Sequence, residues 1–148
     1  MSNLVSQNLN MIFKTPKGET VHALKDLNFT IKKGELLTVL GPSGCGKTTL
    51  LNITAGFIRP TSGKLTLNSK EIHGPGVDRG MVFQQGALFE WLTVSENVNF
   101  GLGMKKEDAN QTQKKVDEWL DIVALKGFGN TPPYQLSGGM QQRVALAR

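Results

Sequence analysis

The first half of the chain carries the hydrophobic patterns of β-strands. Apolar and polar residues roughly alternate over Leu4–Phe13 and over Leu27–Ile31, which predicts two strands with one buried face each. The run Leu36–Leu40 is apolar throughout and predicts a strand buried on both faces. Two further short strands are predicted at Lys64–Asn68 and Met81–Gln84. The pattern therefore predicts a β-rich first half.

Helical periodicity begins at Thr49–Phe57 and dominates the chain from Ser95 onward. A helix is predicted over roughly Glu107–Leu125, where apolar residues recur along one helical face. The members of that stripe are Val116, Trp119, Leu120 and Val123. A final helix is predicted to begin at Ser137 and to continue to the last residue, without a glycine cap or a proline stop.

Composition and charge narrow the class of protein. The chain has 148 residues and a net charge of +5, from 17 basic and 12 acidic side chains. Its lysines are scattered, so we do not expect a nucleic-acid partner. The single cysteine, Cys45, cannot form an internal disulfide and fits a reducing compartment. No signal peptide and no apolar stretch of about 20 residues is present. These features predict a cytosolic protein that reaches a membrane only through a partner.

A phosphate-binding loop is predicted directly after the run Leu36–Leu40. The next eight residues match the P-loop pattern G-x-x-x-x-G-K-[ST], and a predicted helix follows them. Glycines let backbone N–H groups face a phosphate chain, and the helix N-terminus adds partial positive charge. Within this pattern, Lys47 stabilises phosphate charge and Thr48 is a ligand of Mg²⁺. The predicted ATP-binding residues are Gly41, Pro42, Ser43, Gly44, Cys45, Gly46, Lys47, Thr48 and Thr49.

Chance explains this loop poorly. A match to its four fixed positions is expected by luck in roughly one chain in two hundred of this length. The order of buried strand, loop and helix is the context that the motif requires. We therefore interpret the loop as functional.

The last residues of the chain resemble the LSGGQ-like signature of ATP-binding cassette (ABC) ATPases. The predicted signature residues are Ser137, Gly138, Gly139, Met140 and Gln141. A Ser-Gly-Gly sequence alone is an ordinary helix N-cap. Downstream of a P-loop and followed by QQRVALAR, it resembles the family signature closely. The resemblance implies that this segment acts in trans, on the γ-phosphate bound by the P-loop of a second subunit.

Three further positions match the same family. Gln84 resembles the Q-loop glutamine, and the resemblance implies a catalytic role and contact with Mg²⁺; alone it would read as a polar residue at a strand end. Phe13 lies where the family has an aromatic residue that stacks on adenine, although a core or edge-strand phenylalanine is the alternative. The segment Leu88–Leu102 resembles the part of the family that meets a permease. Within it, Trp91 has either that role or a place in the core.

The resemblance covers nearly the whole chain and is nearest to the nitrate, sulfonate and taurine group of importer ATPases. It implies ATP and Mg²⁺ as cofactors, a second copy in a head-to-tail dimer, transmembrane permease subunits and, indirectly, a solute-binding protein. The implied location is cytoplasmic, at the inner face of the cell membrane. Two residues depart from the family pattern. Glu90 replaces a usual proline, and Ser69 replaces a usual turn glycine, although an Asn68-Ser69 turn remains compatible with the pattern.

Some family elements are absent from the sequence. No apolar strand ends in the Walker B aspartate with a catalytic glutamate beside it. The acidic residues of the second half lie on or beside a predicted surface helix; they include Asp108, Asp117, Glu118 and Asp121. Neither His22 nor His73 follows the signature, as the family histidine does. We therefore expect a fragment of a longer protein, with a short gene product as the alternative.

The expected fold class is α/β, a P-loop NTPase of the ABC ATPase type that is incomplete at its C-terminus. Residues 1–89 would form an N-terminal antiparallel β region and the P-loop core, 90–133 an inserted helical subdomain, and 134–148 the signature with the start of its helix. The expected function is ATP binding in an importer of a small anion, with hydrolysis in the complete protein. The alternatives are a non-transport ABC ATPase of ribosome or DNA-repair type, a P-loop metabolite kinase, and a non-catalytic nucleotide-binding fragment.

Overall fold

A computed structural model describes residues 3–83, 87–103 and 109–148. The chain divides into two compact units, Met1–Gly80 and Met81–Arg148. Each unit has its own hydrophobic core. None of the helices in the described ranges combines the length and the apolar character of a membrane span.

The first unit is built on an antiparallel sheet. Its strands are β1 (Asn3–Lys14), β2 (Thr20–Lys32), β3 (Ser62–Leu67) and β4 (Lys70–Glu71), in the order β2-β1-β3-β4. The strands predicted at Leu4–Phe13, Leu27–Ile31 and Lys64–Asn68 are therefore confirmed within a residue or two, except that β2 begins well before Leu27.

One helix, α1 (Lys47–Ala55), packs against this sheet. It begins two residues before the prediction, directly after the left-handed N-cap Gly46, and ends two residues before it because Gly56 adopts a left-handed φ of 83°. The Gly56 and Phe57 N–H groups then donate to the Ile53 and Asn52 carbonyls, which closes the helix as a Schellman cap does. Helix and sheet share one core, formed by Leu9, Leu24, Leu50, Ile53, Leu65 and Ile72.

The β3–β4 hairpin turns on two residues that both have positive φ. Asn68 has φ 53° and Ser69 has φ 64°, which is the pattern of a type I′ turn. The Asn68 side chain also accepts a hydrogen bond from the Asn3 N–H at 3.2 Å. The turn expected at these positions is thus confirmed, with serine in a left-handed conformation that glycine adopts more easily.

Two predicted strands are wrong. The run Leu36–Leu40 is not a strand, and Leu36 and Leu40 are 92% and 86% exposed. Met81–Phe83 is not a strand either, and Gln84 lies outside the described residues. A strand buried on both faces requires neighbouring strands that satisfy its N–H and C=O groups. In the described ranges, the only sheet is the antiparallel one, and neither segment pairs with it.

The second unit is helical. It contains α2 (Val94–Gly103), α3 (Ala109–Ile122) and α4 (Gly138–Ala147), with a short 3₁₀ turn at Pro133–Gln135 before α4. Helix α2 contacts both α3 and α4. The buried core residues are Leu88, Val94, Val98, Val116, Leu120, Leu125, Leu136, Val144 and Ala147.

The apolar stripe predicted on α3 is only partly buried. Val116 and Leu120 are core residues, and Val123 packs against them. Trp119 is 44% exposed, so its assignment to the buried face is wrong. Its position is rotated from that of Val116 by about a sixth of a turn, and an indole is too large to be covered at the edge of a stripe.

Candidate functional site

The loop between residues 41 and 46 has the backbone of a phosphate-binding loop. Gly44 and Gly46 have φ angles of 82° and 94°, in the left-handed region that side chains disfavour. Gly46 is also the N-cap of α1, and a Cβ there would overlap the carbonyl oxygen of Ala23 in β2. The glycine is therefore required twice, by its conformation and by the close approach of a neighbouring strand.

The Lys47 ammonium lies over this loop. Its Nζ donates to the carbonyl oxygens of Gly41 at 2.8 Å and Pro42 at 2.6 Å. A weaker contact joins Nζ to the Cys45 Sγ at 3.4 Å. The positive charge is thus held where the loop and the start of α1 meet.

The N-terminus of α1 is open to an anion. No side chain caps it, and no acidic residue lies in its first turn. Its free N–H groups and the helix dipole therefore favour negative charge at this end. The left-handed glycines and Lys47 lie at the same end of the helix, so this loop is the candidate anion site of the described residues.

Thr48 is the residue of this site that fits a hard divalent cation. It is exposed in the first turn of α1, and in the part of the chain that the structure describes its hydroxyl has no hydrogen-bond partner. No cluster of three or more His, Cys, Asp or Glu side chains in the described ranges could hold a metal by itself. A threonine hydroxyl and phosphate oxygens are ligands that suit Mg²⁺, which seldom relies on protein groups alone. The other predicted ligand, Gln84, lies outside the described residues.

Phe13 lies in the same unit, near the end of β1. It pairs with Val21 of β2 and is 41% exposed, so it is not a core residue. The structure leaves its ring partly uncovered, as stacking on a base requires.

The predicted signature residues lie at the N-terminus of α4. Ser137 is the N-cap and its Oγ accepts a hydrogen bond from the Met140 N–H at 3.3 Å. Gly138 and Gly139 are exposed. Met140 packs against the core of the second unit, and Gln141 donates to the Pro133 carbonyl at 2.9 Å. The exposed end of α4 therefore consists of small residues, with Ser137 capping the helix.

The segment of residues 87–93, which we call the Trp91 loop, precedes α2. Trp91 is 79% exposed, so a place in the core is wrong for it. The loop ends in a capping box, the T-x-x-E pattern of Thr93 and Glu96. Hydrogen bonds from the Thr93 backbone N–H and from its hydroxyl lower the pKa of Glu96. The sequence contains this capping signal, although the sequence-based predictions did not use it.

The sequence analysis also missed two arginines, one within α4 and one at its C-terminal end. Arg143 donates to the carbonyls of Val123 and Ala124 just after α3, at 2.8 and 3.2 Å. Arg148 donates to the Ala87 carbonyl, and its guanidinium lies 5.1 Å from the centre of the Phe89 ring. No local motif predicts these contacts, because their partners lie far away in the sequence.

Comparison with known proteins identifies the family. A family model described as "ABC transporter" matches residues 24–148. The chain belongs to this ABC transporter family. The expected resemblance to ABC ATPases is thus confirmed.

Relatives of this ABC transporter chain include importer subunits. It is 84% identical over 148 residues to the taurine import ATP-binding protein TauB of Pelagibacter ubique (strain HTCC1062), covering 100% of this chain and 56% of that protein. It is 49% identical over 125 residues to the aliphatic sulfonates import ATP-binding protein SsuB of Bacillus licheniformis, covering 84% of this chain and 48% of that protein. The chain thus spans about half the length of the curated relatives it matches.

The solved structures agree with the expected fold. The dimeric, post-hydrolysis structure of the ATP-binding cassette MJ0796 bound to ADP and Pi matches with a TM-score of 0.84 and 36% identity, covering 97% of this chain and 67% of that one. The prediction of an ABC ATPase fold with an antiparallel β region and a helical part is confirmed.

Proposed function

We propose that this chain is the ATP-binding part of an ABC importer for a small anion such as taurine, another sulfonate or nitrate. The P-loop geometry carries the proposal: left-handed glycines, an uncapped helix N-terminus and the Lys47 ammonium converge on one anion site. The similarity to taurine and sulfonate import proteins supports the choice of solute.

In this proposal, the nucleotide's phosphates bind over the loop of residues 41–46. Lys47 turns its ammonium from the Gly41 and Pro42 carbonyls to the β- and γ-phosphates, where the neutral acceptors are replaced by negatively charged ones. Thr48 offers its hydroxyl to Mg²⁺, and Gln84 offers a second ligand. Mg²⁺, when bound, would offset charge on the phosphate oxygens. Phe13 would stack on the adenine.

The remaining parts of the proposal concern partners. Ser137, Gly138 and Gly139 would contact the nucleotide of a second subunit, because an exposed helix N-terminus with small residues can approach a phosphate closely. The dimeric state of the ATP-binding cassette MJ0796 supports a dimer, and action of the signature in trans would require that dimer to be head-to-tail. The Trp91 loop would meet a transmembrane permease at the cytoplasmic face of the cell membrane, and a solute-binding protein would act upstream. Hydrolysis of ATP would be an activity of the whole protein.

Calorimetric titration with MgATP tests this function. Lys47→Ala should lower the affinity by about 1.5–3 kcal/mol, the contribution of hydrogen bonds to a charged group. Lys64→Ala, which removes an exposed lysine of β3, is the matched control and should bind like the unaltered chain. Equal MgATP affinity in the unaltered chain, Lys47→Ala and Lys64→Ala would show that Lys47 does not contact the nucleotide. Binding of bare triphosphate as tight as that of ATP would argue against a nucleoside-binding role for Phe13.

A further inference from the structure

The side chain of Asn97 is buried completely and is used to close the Trp91 loop. Its relative exposure is 0%. Its Oδ1 accepts from the Phe89 N–H at 2.9 Å, and its Nδ2 donates to the Phe89 carbonyl at 3.1 Å. The same Nδ2 lies 3.2 Å from the Leu92 carbonyl and 3.0 Å from that of Thr93. One carboxamide therefore joins the beginning of the loop to its end.

These bonds are strong constraints because the group is removed from water. A buried amide that loses its partners costs more than the bonds contribute when made, so the loop is held in the conformation that satisfies all of them. Other buried polar side chains of the described structure are rare; Ser6 and Thr112 are the other two. Asn97 differs from an apolar core residue in that it fixes backbone positions as well as filling space.

The loop presents an aromatic residue outward. Trp91 is 79% exposed and lies 5.2 Å from the Phe89 ring, measured between ring centres. The Phe89 ring is in turn 4.5 Å from that of Phe100 on α2, and the Arg148 guanidinium covers it. The exposed indole thus packs on the Phe89 ring, and Asn97 holds the backbone of Phe89 through two hydrogen bonds.

We propose that Asn97 is a positioning residue, which holds the Trp91 loop so that the indole is ordered before a partner arrives. The partner is the transmembrane subunit of the importer, so the inference rests on the proposed function. A large rigid aromatic residue that is already in its bound conformation loses little entropy on binding, which is the property of residues that dominate interfaces. Asn97 acts through Trp91 and touches no partner itself.

The first test uses the free chain with Trp119→Phe, which leaves Trp91 as the sole tryptophan of the two in the sequence. Asn97→Asp keeps the acceptor for the Phe89 N–H but loses the donors to three carbonyls. It should lower the fluorescence anisotropy of Trp91 and speed hydrogen exchange at the Phe89 amide about tenfold. Exchange within α2 should stay unchanged. Faster exchange throughout α2 would indicate a merely structural role and overturn the proposal.

Asn110→Asp is the matched control, since it makes the same chemical change at an exposed asparagine of α3 in the same unit. It should leave Trp91 and the Phe89 amide as they are. An equal response to both substitutions would also overturn the positioning role.

The second test measures binding to membrane vesicles that contain the transmembrane subunit of a taurine importer, the kind of system in the proposed function. The Trp119→Phe chain should sediment with them, and adding Trp91→Ala, which removes an exposed side chain, should weaken binding about tenfold or more. Asn97→Asp should weaken it roughly three- to tenfold. If the Trp119→Phe chain does not sediment, the proposed function fails. If the Trp119→Phe chain sediments, and either Trp91→Ala or Asn97→Asp binds the vesicles as tightly as that chain does, the proposed function stands and the positioning role is refuted.

Discussion

Two glycines of the P-loop allow a matched test of what holds the loop in place. Gly44 and Gly46 have similar left-handed φ angles of 82° and 94°. A Cβ on Gly44 would meet nothing within 4 Å. A Cβ on Gly46 would overlap the Ala23 carbonyl oxygen and lie 3.2 Å from the Leu24 Cδ2. Replacing each by alanine therefore separates the cost of conformation from the cost of a clash.

The expected magnitudes differ accordingly. A left-handed conformation costs an alanine about 1–2 kcal/mol. Overpacking against a backbone that must shift costs a further ~1–3 kcal/mol. Gly44→Ala should thus lower the free energy of unfolding of the first unit by about 1–2 kcal/mol, and Gly46→Ala by about 2–5 kcal/mol. The clash would push the backbone of Ala23, which lies in β2 at an irregularity of its pairing with β1, or move the start of α1.

Urea unfolding followed by far-ultraviolet circular dichroism measures both changes. Trp91, Trp119 and Tyr134 all lie in the second unit, so tryptophan fluorescence reports that unit alone and serves as an internal control. Its transition should stay in place if the damage is local to the first unit. Equal destabilisation by Gly44→Ala and Gly46→Ala would refute the conclusion that Gly46 is required by contact with β2.

Other changes test the turn, the loop and the capping box. Ser69→Gly should stabilise the hairpin by about 0.5–1 kcal/mol, because glycine accepts positive φ without strain; an unchanged urea midpoint would contradict this. Cys45 is exposed in the P-loop, so MgATP should slow its alkylation by a maleimide, and equal rates would mean that nucleotide does not cover the loop. The lowered pKa of Glu96 means that its stabilising effect is complete above the ordinary glutamate pKa and is lost as the pH falls through the lowered value. Glutamine does not titrate, so the Glu96→Gln variant should not lose this stability at low pH. If the free energy of unfolding of the unaltered chain and of Glu96→Gln falls in parallel with pH, the capping box is not supported.

Local signals predicted much of the structure. The strands β1 and β3 follow from alternation, because each needs only one buried face. The start of α4 follows from Ser137, whose hydroxyl caps the helix that its sequence predicts. The contacts of Asn97 and Arg148 could not be predicted in this way, since a buried asparagine in a helical pattern gives no sign of which backbone groups it will bind. Those contacts depend on where the loop and α4 lie in three dimensions.

The failed strand at Leu36–Leu40 and the observed loop and helix that follow it have a common explanation. A buried strand depends on partner strands, and the only described sheet is antiparallel and does not include this run. The loop after it depends on other contacts: the left-handed glycines, the bonds of Lys47 to the Gly41 and Pro42 carbonyls, and the packing of Gly46 on β2. None of these contacts involves Leu36–Leu40. The loop backbone is therefore held by its own glycines, by Lys47 and by the antiparallel sheet, which is why a loop followed by a helix could be predicted from eight residues while the strand before it could not.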